Sequence, residues 1–195
     1  MKRMNTPLRI AGALDRVVTV FGRLGSWAVL LLVGVTLFDV ITRRFLVLGS
    51  TRLQELEWHL HTILMMFLIA YGVIRNTHVR VDLFREQLGP YARARLELAG
   101  NVLFLAPYAL LVIYFSFEFV MSSWVMTESS ASMTGLSHRW IIKSTLIVAF
   151  VLVLAAGISS SIRQLAFLCG RRDENALAHD TGKPSRQGGA ERDDD

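Results

Sequence analysis

Charged residues are scarce in this chain, and their scarcity excludes most classes of soluble protein. Asp, Glu, Lys and Arg together make up 19% of the 195 residues, whereas hydrophobic residues make up 52%. The mean hydropathy of +0.41 is too high for an ordinary soluble domain of this length. In a chain this apolar, the net charge of +5 indicates basic loops facing anionic lipid, and no nucleic-acid partner is expected. The composition therefore predicts a membrane protein.

Cysteine and catalytic motifs are also lacking. The single cysteine, Cys169, excludes an internal disulfide framework. The sequence has no HExxH motif, no Gly-rich phosphate loop and no Ser-centred elbow, so we predict neither an enzyme nor a bound cofactor. Four histidines, His59, His61, His78 and His138, suggest a haem or metal site, but they lie at the ends of apolar segments rather than within them. A haem-bearing membrane anchor of an oxidoreductase therefore remains an alternative.

Four long apolar segments account for most of the chain. They lie at about 24–42, 58–74, 98–124 and 144–162. Each is long enough to cross about 30 Å of hydrocarbon at 1.5 Å per residue, and a backbone in lipid must form its hydrogen bonds within the segment. We therefore predict an all-α membrane protein with four transmembrane helices in a domain spanning residues 24–168. Pro107 is expected to kink the third helix.

The flanking and connecting segments have a different character. Apolar residues recur at alternating spacings of four and three within residues 1–23, which predicts an amphipathic helix on the cytoplasmic surface. Short interfacial helices are expected near Arg52 and at 81–88 as well. Residues 169–195 are rich in Asp, Gly, Arg and Ser and are expected to form a disordered cytoplasmic tail. Most Lys and Arg residues near the predicted spans fall on the side of the two termini. This distribution predicts that both termini lie in the cytoplasm.

One polar group marks the predicted outer side of the first two spans. Asp39 and Arg43 are four residues apart, a spacing that allows a salt bridge on one helix face. Glu55, Glu57 and Trp58 stand at the start of the second span. The two glutamates cannot share a helix face at that spacing. They are candidates to pair with an arginine of this chain (Arg43, Arg44 or Arg52) or with a partner protein, and the sequence leaves both open.

A second polar group follows the second span on the predicted inner side. It consists of Arg75, His78, Arg80 and Asp82. Asp82 is suited to cap the short helix that follows it, because a carboxylate accepts hydrogen bonds from the first free amides of a helix. Arg75 and His78 are then available to phospholipid head groups or to a neighbouring subunit.

Several of these residues together form a recognisable pattern. The pattern comprises Glu55 and Trp58, FLIAYG at 67–72, Arg75 and HVRVD at 78–82, the DV and RRF pieces at 39–45, and WIIK at 140–143. In this combination the chain, over about residues 24–168, resembles the small membrane subunit (DctQ-like) of tripartite ATP-independent periplasmic (TRAP) transporters.

The resemblance implies a division of labour among three proteins. It implies sodium-coupled import of an organic acid across the bacterial inner membrane, with a large permease subunit that carries substrate and sodium, and a periplasmic binding protein. This chain would be the scaffold. It would contact the large subunit or the binding protein through outer-side residues (Asp39, Arg43, Glu55, Glu57 and Trp58) and the large subunit or phospholipid through inner-side residues (Arg75, His78, Arg80 and Asp82). A stand-alone small carrier is a further alternative.

Overall fold

The computed structural model describes residues 6–46, 49–75, 88–132 and 134–169, and within these ranges every regular element is a helix. Helix α1 spans Thr6–Phe45, α2 spans Thr51–Arg75 and α3 spans Pro90–Gly100. A π-helical segment, Asn101–Leu105, joins α3 to α4, which spans Ala106–Val125, and α5 spans Trp140–Leu168. Helices α1 and α2, the continuous helix Pro90–Val125, and α5 are each long and apolar enough to cross a membrane. The prediction of an all-α membrane protein with four transmembrane helices is confirmed.

Some sequence predictions fall on other parts of the chain. His78, Arg80 and Asp82, the interfacial helix at 81–88 apart from its last residue, and the tail after Cys169 lie outside the described residues. The helix expected near Arg52 is the first part of α2 and continues into the span without a break. The surface position of the segment 1–23 stays a prediction, and from Thr6 onward that segment is continuous with the first span.

Helix α1 is much longer than a membrane crossing requires. Its 40 residues extend over about 60 Å at 1.5 Å per residue, roughly twice the thickness of the hydrocarbon layer. Helix α1 therefore continues beyond the bilayer on at least one side.

Helix α5 is the centre of the bundle. It packs against α1, α2, α3 and α4, whereas α4 makes no comparable contact with α1 or α2 in the described ranges. The main cluster of buried residues where α1, α2 and α5 meet consists of Val18, Ala70, Leu152, Val153 and Ala156. Four helices are thus arranged as an α1–α2 pair and a separate α3–α4 helix, both packed on α5.

Close approach of α1 and α2 depends on small residues. A Cβ atom added to Gly22 would lie 2.6 Å from Cγ of Tyr71, and one added to Gly25 would lie 2.9 Å from Cβ of Phe67. Phe67 also meets Phe21 edge to face, with ring centroids 5.3 Å apart. Association of helices in lipid relies on such close packing, because apolar side chains gain little by leaving an apolar solvent.

A π-helical turn lies immediately before Pro107, the residue at which the sequence predicts a kink. The amide of Ala106 donates to the carbonyl of Asn101, five residues back. Proline has no N–H and its ring conflicts with the carbonyl four residues earlier, so a locally widened turn accommodates it. Leu105 of this turn packs on Gly157 of α5, where an added Cβ would approach its side chain to 2.5 Å.

The bundle has two distinct ends. We call "loop end" the end at which α1 and α4 finish and α2 and α5 begin. We call "terminal end" the opposite end, where α1 begins and α5 finishes. The hydrogen bond between Arg52 and Thr134 lies at the loop end. The ring contact between Tyr91 and Phe167 lies at the terminal end.

Candidate functional site

A carboxylate of α2 fastens the loop that joins α4 to α5. One oxygen of Glu55 accepts a hydrogen bond from the hydroxyl of Ser130, and the other accepts the backbone N–H of Leu136 at 2.5 Å. Nε of Arg52, one turn earlier, donates to the carbonyl of Thr134 at 3.0 Å. Glu55 is therefore bound to the loop, and none of the arginines that the sequence suggested is its hydrogen-bond partner within the described ranges.

The loop is shaped to receive this carboxylate. The amide of Ser130 donates to the carbonyl of Leu136 at 3.1 Å, which closes the loop on itself. A Cβ added to Gly135 would lie 2.8 Å from Oε2 of Glu55 and closer still to the side chain of Ser130. A residue larger than glycine at position 135 would therefore displace the side chain of Ser130, the carboxylate of Glu55 or both. We call the contacts of Glu55 with Ser130 and Leu136 the "Glu55 latch".

An ion pair and two indole rings hold the base of the same loop. Nζ of Lys143 donates to the carboxylate of Glu128 and lies 4.0 Å from the ring centroid of Phe119. The hydrogen bond from Lys143 holds the pKa of Glu128 below its ordinary value. Trp124 and Trp140 meet edge to face with ring centroids 4.5 Å apart. The loop is thus anchored to both helices that it connects.

The chain enters and leaves the loop in an uncommon conformation. Thr127 has φ 45° and His138 has φ 65°, both in the left-handed region. Such a conformation costs free energy for a β-branched residue and persists only where surrounding contacts enforce it. Together with the Glu55 latch, this indicates a loop with one defined shape.

Two of the other predicted outer-side residues, Glu57 and Trp58, line a cleft between α1 and α2. Asp39 forms the predicted ion pair with Arg43, one turn further along α1. A cleft of about 400 Å³, which we call the α1–α2 cleft, is lined by Leu32, Thr36, Glu57, Trp58, His61 and Thr62. Oε1 of Glu57 and Oδ1 of Asp39 are both buried without a hydrogen-bond partner in the described part of the chain. The structure thus separates Glu55 from Glu57 and gives them different surroundings.

One face of α4 is apolar and exposed, and it carries a carboxylate. Leu111, Tyr114, Phe115 and Glu118 are exposed on one side of the helix, and we call them the "α4 stripe". The buried residues of α4 are Ala109, Ser116 and Ser123. At 3.6 residues per turn these three point nearly opposite to Glu118. Glu118 therefore faces away from α5 and away from the rest of the protein.

A polar network that the sequence did not predict joins the helices at the terminal end. Arg163 of α5 forms an ion pair with Asp15 of α1, and the hydroxyl of Ser159 lies 2.6 Å from Oδ1 of Asp15. Nε2 of Gln164 donates to Oε2 of Glu97 on α3 at 2.6 Å. The available signal in the sequence was that Arg163, directly after the last predicted span, is one helical turn from Ser159.

Of the four predicted inner-side residues, the structure describes Arg75. The guanidinium of Arg75 lies 5.8 Å from the ring centroid of Tyr71, and its three predicted neighbours lie outside the described residues. The histidines considered for haem have other local contacts: Nδ1 of His59 lies 2.5 Å from the carbonyl oxygen of Glu55, and Nδ1 of His138 lies 2.8 Å from the hydroxyl of Ser137. No group of three His, Cys, Asp or Glu side chains in the described ranges is placed to hold a metal ion.

Comparison with known families identifies the chain. The family described as "Tripartite ATP-independent periplasmic transporters, DctQ component" matches residues 32–167. No curated protein sequence matches the chain. The matched region contains the Glu55 latch, the α1–α2 cleft and the α4 stripe. Because it covers well over half of the sequence, the chain belongs to the DctQ component family of tripartite ATP-independent periplasmic transporters.

Proposed function

We propose that this protein is the fixed scaffold of a sodium-coupled TRAP transporter that imports an organic acid across the bacterial inner membrane. Family membership makes it the small membrane component of a TRAP transporter, and the coupling ion, the substrate and the scaffold role are our proposal. In our proposal a large permease subunit carries substrate and sodium, and a periplasmic protein captures the substrate. The small subunit holds the permease in place and presents a docking surface to the binding protein.

The α4 stripe is the observation that carries this proposal. Its aromatic rings are widely exposed, with 73% of Tyr114 and 58% of Phe115 accessible. Lipid alone would cover such rings well, but it would not solvate the carboxylate of Glu118 in their midst. An ionisable group in a membrane span is costly unless it pairs with another polar group, so a neighbouring protein helix with a cationic or hydrogen-bonding side chain fits this face best.

The bundle itself is better suited to support than to transport. Among the described residues, Asp39 is paired with Arg43 near the loop end, and Asp15 is paired with Arg163 at the terminal end. The hydrophobic core cluster between these ends consists of valine, alanine and leucine, and the buried polar residues of α4 are the uncharged Ser116 and Ser123. A substrate or ion pathway normally needs polar groups along its length, so we assign the pathway to the large subunit.

The loop end is our candidate for the surface that meets the periplasmic binding protein. The distribution of Lys and Arg supports an orientation with both termini in the cytoplasm, which places the loop end on the periplasmic side. The Glu55 latch then fixes the shape of a loop exposed to the periplasm. A preformed loop loses less conformational entropy on docking than a mobile one. At the opposite side, we assign Arg75, His78, Arg80 and Asp82 to contacts with the large subunit or with phospholipid head groups.

Co-purification from the native membrane tests the proposal. We expect the tagged full-length chain to bring down a large multi-spanning permease in equal amount. Glu118→Lys should reduce that recovery strongly, because it reverses a charge that faces the partner, whereas Glu118→Gln should reduce it less. Arg9→Glu is a matched control, since it reverses an exposed charge of α1.

Other outcomes would contradict the scaffold role. A chain that purifies alone and carries visible haem absorbance would be a membrane anchor of an oxidoreductase. A chain that purifies alone, is colourless and transports solute in vesicles would be a self-sufficient carrier. Equal recovery of the permease with Glu118→Lys and wild type would remove the α4 stripe from the interface, and with it the observation that carries the scaffold proposal.

A further inference from the structure

A second cavity lies at the loop end, at the base of the loop that joins α4 to α5. Its volume is about 500 Å³, and we call it the "Trp pocket". The described residues that line it carry two indoles, three hydroxyls and an imidazole: Trp124, Trp140, Thr127, Ser129, Ser137 and His138. A largely apolar wall with a few polar groups is the usual form of a site for a small molecule.

The two indoles supply the apolar wall of the Trp pocket. Trp124 belongs to the last turn of α4 and Trp140 is the first residue of α5. Their rings meet edge to face with centroids 4.5 Å apart, and 53% of Trp124 remains exposed. Accessible indole surface of this kind suits the apolar part of a ligand.

The polar side chains of the pocket offer hydrogen-bond donors. The hydroxyl of Ser137 lies 2.8 Å from Nδ1 of His138. If the hydroxyl donates, Nε2 of the neutral ring carries a free N–H, and if Nδ1 donates, the hydroxyl proton is free. The pair therefore keeps one free donor in either tautomer. The hydroxyl of Thr127 is not engaged by any other described group and adds a further donor.

The electrostatic surroundings favour a negative ligand. Glu55 is held by the Glu55 latch and Glu128 is paired with Lys143, so neither carboxylate is left to take up these donors. Arg139, between two lining residues in sequence, is half-buried and forms no ion pair within the described ranges. Helix α5 also has no acidic residue in its first turn to offset the partial positive charge of its N-terminus.

The shape of the pocket is set before any ligand binds. Two of its lining residues, Thr127 and His138, are the residues held in the left-handed region, with φ 45° and φ 65°. Contacts of the loop with α2 and between Lys143 and Glu128 enforce this conformation. A ligand would therefore meet donors that are already in place, which lowers the entropy lost on binding.

We propose that the Trp pocket binds an oxyanion joined to an apolar group. The oxyanion would accept hydrogen bonds from the Ser137–His138 pair and from the hydroxyl of Thr127, and the apolar group would lie against Trp124 and Trp140. A small organic acid offers this chemistry through its carboxylate, and a membrane lipid offers it through its phosphate.

The fluorescence of the two indoles reports on this site. The chain has four tryptophans, so the full-length chain is purified in detergent with Trp27→Phe and Trp58→Phe, which leaves Trp124 and Trp140 as the emitting residues. Hexanoate, hexanol and hexylammonium share one apolar body and differ in their head group. We expect hexanoate to act at a concentration at least about tenfold lower than the other two, the difference that one charge-assisted hydrogen bond contributes.

The surrounding medium distinguishes the two sources of the oxyanion. The hexanoate titration is repeated in nanodiscs of phosphatidylglycerol, whose head groups carry phosphate. A response in both media would assign the pocket to a soluble organic acid. A response in detergent that is lost in the nanodiscs would assign it to a lipid phosphate.

Two variants remove donors from the pocket. Ser137→Ala and Thr127→Val should each weaken the response to hexanoate several-fold and leave the response to hexanol unchanged. Ser132→Ala is the matched control, because it removes a hydroxyl of the same loop that does not line the pocket. This control should respond to hexanoate as the parent does.

Three results would overturn the proposal. They are no response to hexanoate in detergent, an equal response to hexanoate and hexanol, and a response to hexanoate that neither Ser137→Ala nor Thr127→Val weakens. Recovery of a permease by co-purification does not depend on this pocket, so the oxyanion site can fail while the scaffold role holds, and the reverse.

Discussion

The carboxylate of Glu55 accepts the backbone N–H of Leu136 at 2.5 Å, although 81 residues separate the two in sequence. This contact ties the start of α2 to the loop between α4 and α5. Through this contact the α1–α2 pair is linked to the α4–α5 loop, which the structure describes almost completely. The loop acquires its shape from a residue on another helix, so that residue controls the surface that we assign to docking.

Removing the Glu55 carboxylate should loosen the loop without unfolding the bundle. Glu55→Ala leaves the amide of Leu136 and the hydroxyl of Ser130 without their acceptor, while the helix core around Ala70 and Val153 is unchanged. We expect several-fold faster proteolysis within the loop and reduced uptake at limiting binding protein. Limited proteolysis of the purified protein and uptake in whole cells measure the two effects.

A substitution on the loop side should reproduce the effect. Gly135→Ala places a Cβ against Glu55 and Ser130, whereas Gly49→Ala meets nothing within 4 Å. The first should therefore resemble Glu55→Ala and the second should resemble wild type. If Glu55→Ala and Gly135→Ala both left the protease sensitivity of the loop unchanged, the Glu55 latch would not determine the loop conformation.

Two glycines of α1 should respond in opposite directions to the same substitution. Gly22→Ala introduces a Cβ that would lie 2.6 Å from Tyr71, whereas Gly34→Ala introduces one into open space. Overpacking typically destabilises by about 1–3 kcal/mol, so Gly22→Ala should lower the unfolding temperature in detergent. Gly34→Ala should raise stability by about 0.5–1 kcal/mol, because alanine is the better helix former. Equal stability of the two variants would contradict the close α1–α2 contact.

The ion pair between Lys143 and Glu128 should make the stability of the loop depend on pH, but only under acidic conditions. The pKa of Glu128 is lowered by the hydrogen bond from Lys143. A lowered folded-state pKa means that the pair stabilises the loop fully above the unfolded pKa and that this stabilisation is lost as the pH falls through the lower folded pKa. We expect no change from pH 8 to about 5 and a loosening below about pH 4.

Tryptophan fluorescence can follow this transition, because Trp124 and Trp140 meet edge to face at the base of the same loop. Lys143→Met removes the cation that lowers the pKa of Glu128. In this variant we expect the loop to be looser than in wild type at neutral pH. The fluorescence transition should occur at a higher pH than in wild type. An unchanged transition in Lys143→Met would assign the acid response to another group.

Local patterns in the sequence predicted local features of the structure well. The four spans follow from long apolar runs, and the Asp39–Arg43 pair follows from a spacing of one helical turn. The kink at Pro107 stays a prediction, and a π-helical turn precedes that residue, since a proline ring disturbs its own helix whatever surrounds it. These features depend on residues within about one turn of each other, so no knowledge of the tertiary arrangement was needed.

Contacts between distant segments were not predictable in the same way. Nothing in the spacing of Glu55 indicated Ser130 or Leu136 as its partners, and nothing near Asp15 indicated Arg163. Both pairings depend on α5 occupying the centre of the bundle, which apolar periodicity does not reveal when every helix is apolar on most sides. The outward direction of Glu118 also became visible only after the buried face of α4 was known. The inner-side roles of Arg75, His78, Arg80 and Asp82 stay predictions.

Site-specific cross-linking on α4 tests the central claim most directly. A photoreactive p-benzoylphenylalanine in place of Phe115, within the α4 stripe, should form a covalent adduct with the large permease in intact membranes. The same group in place of Leu37, on the exposed side of α1, serves as the comparison and should give little or no such adduct. An adduct with the permease from Phe115 would support the scaffold account. Only lipid adducts from Phe115, in membranes where the permease is present, would contradict it.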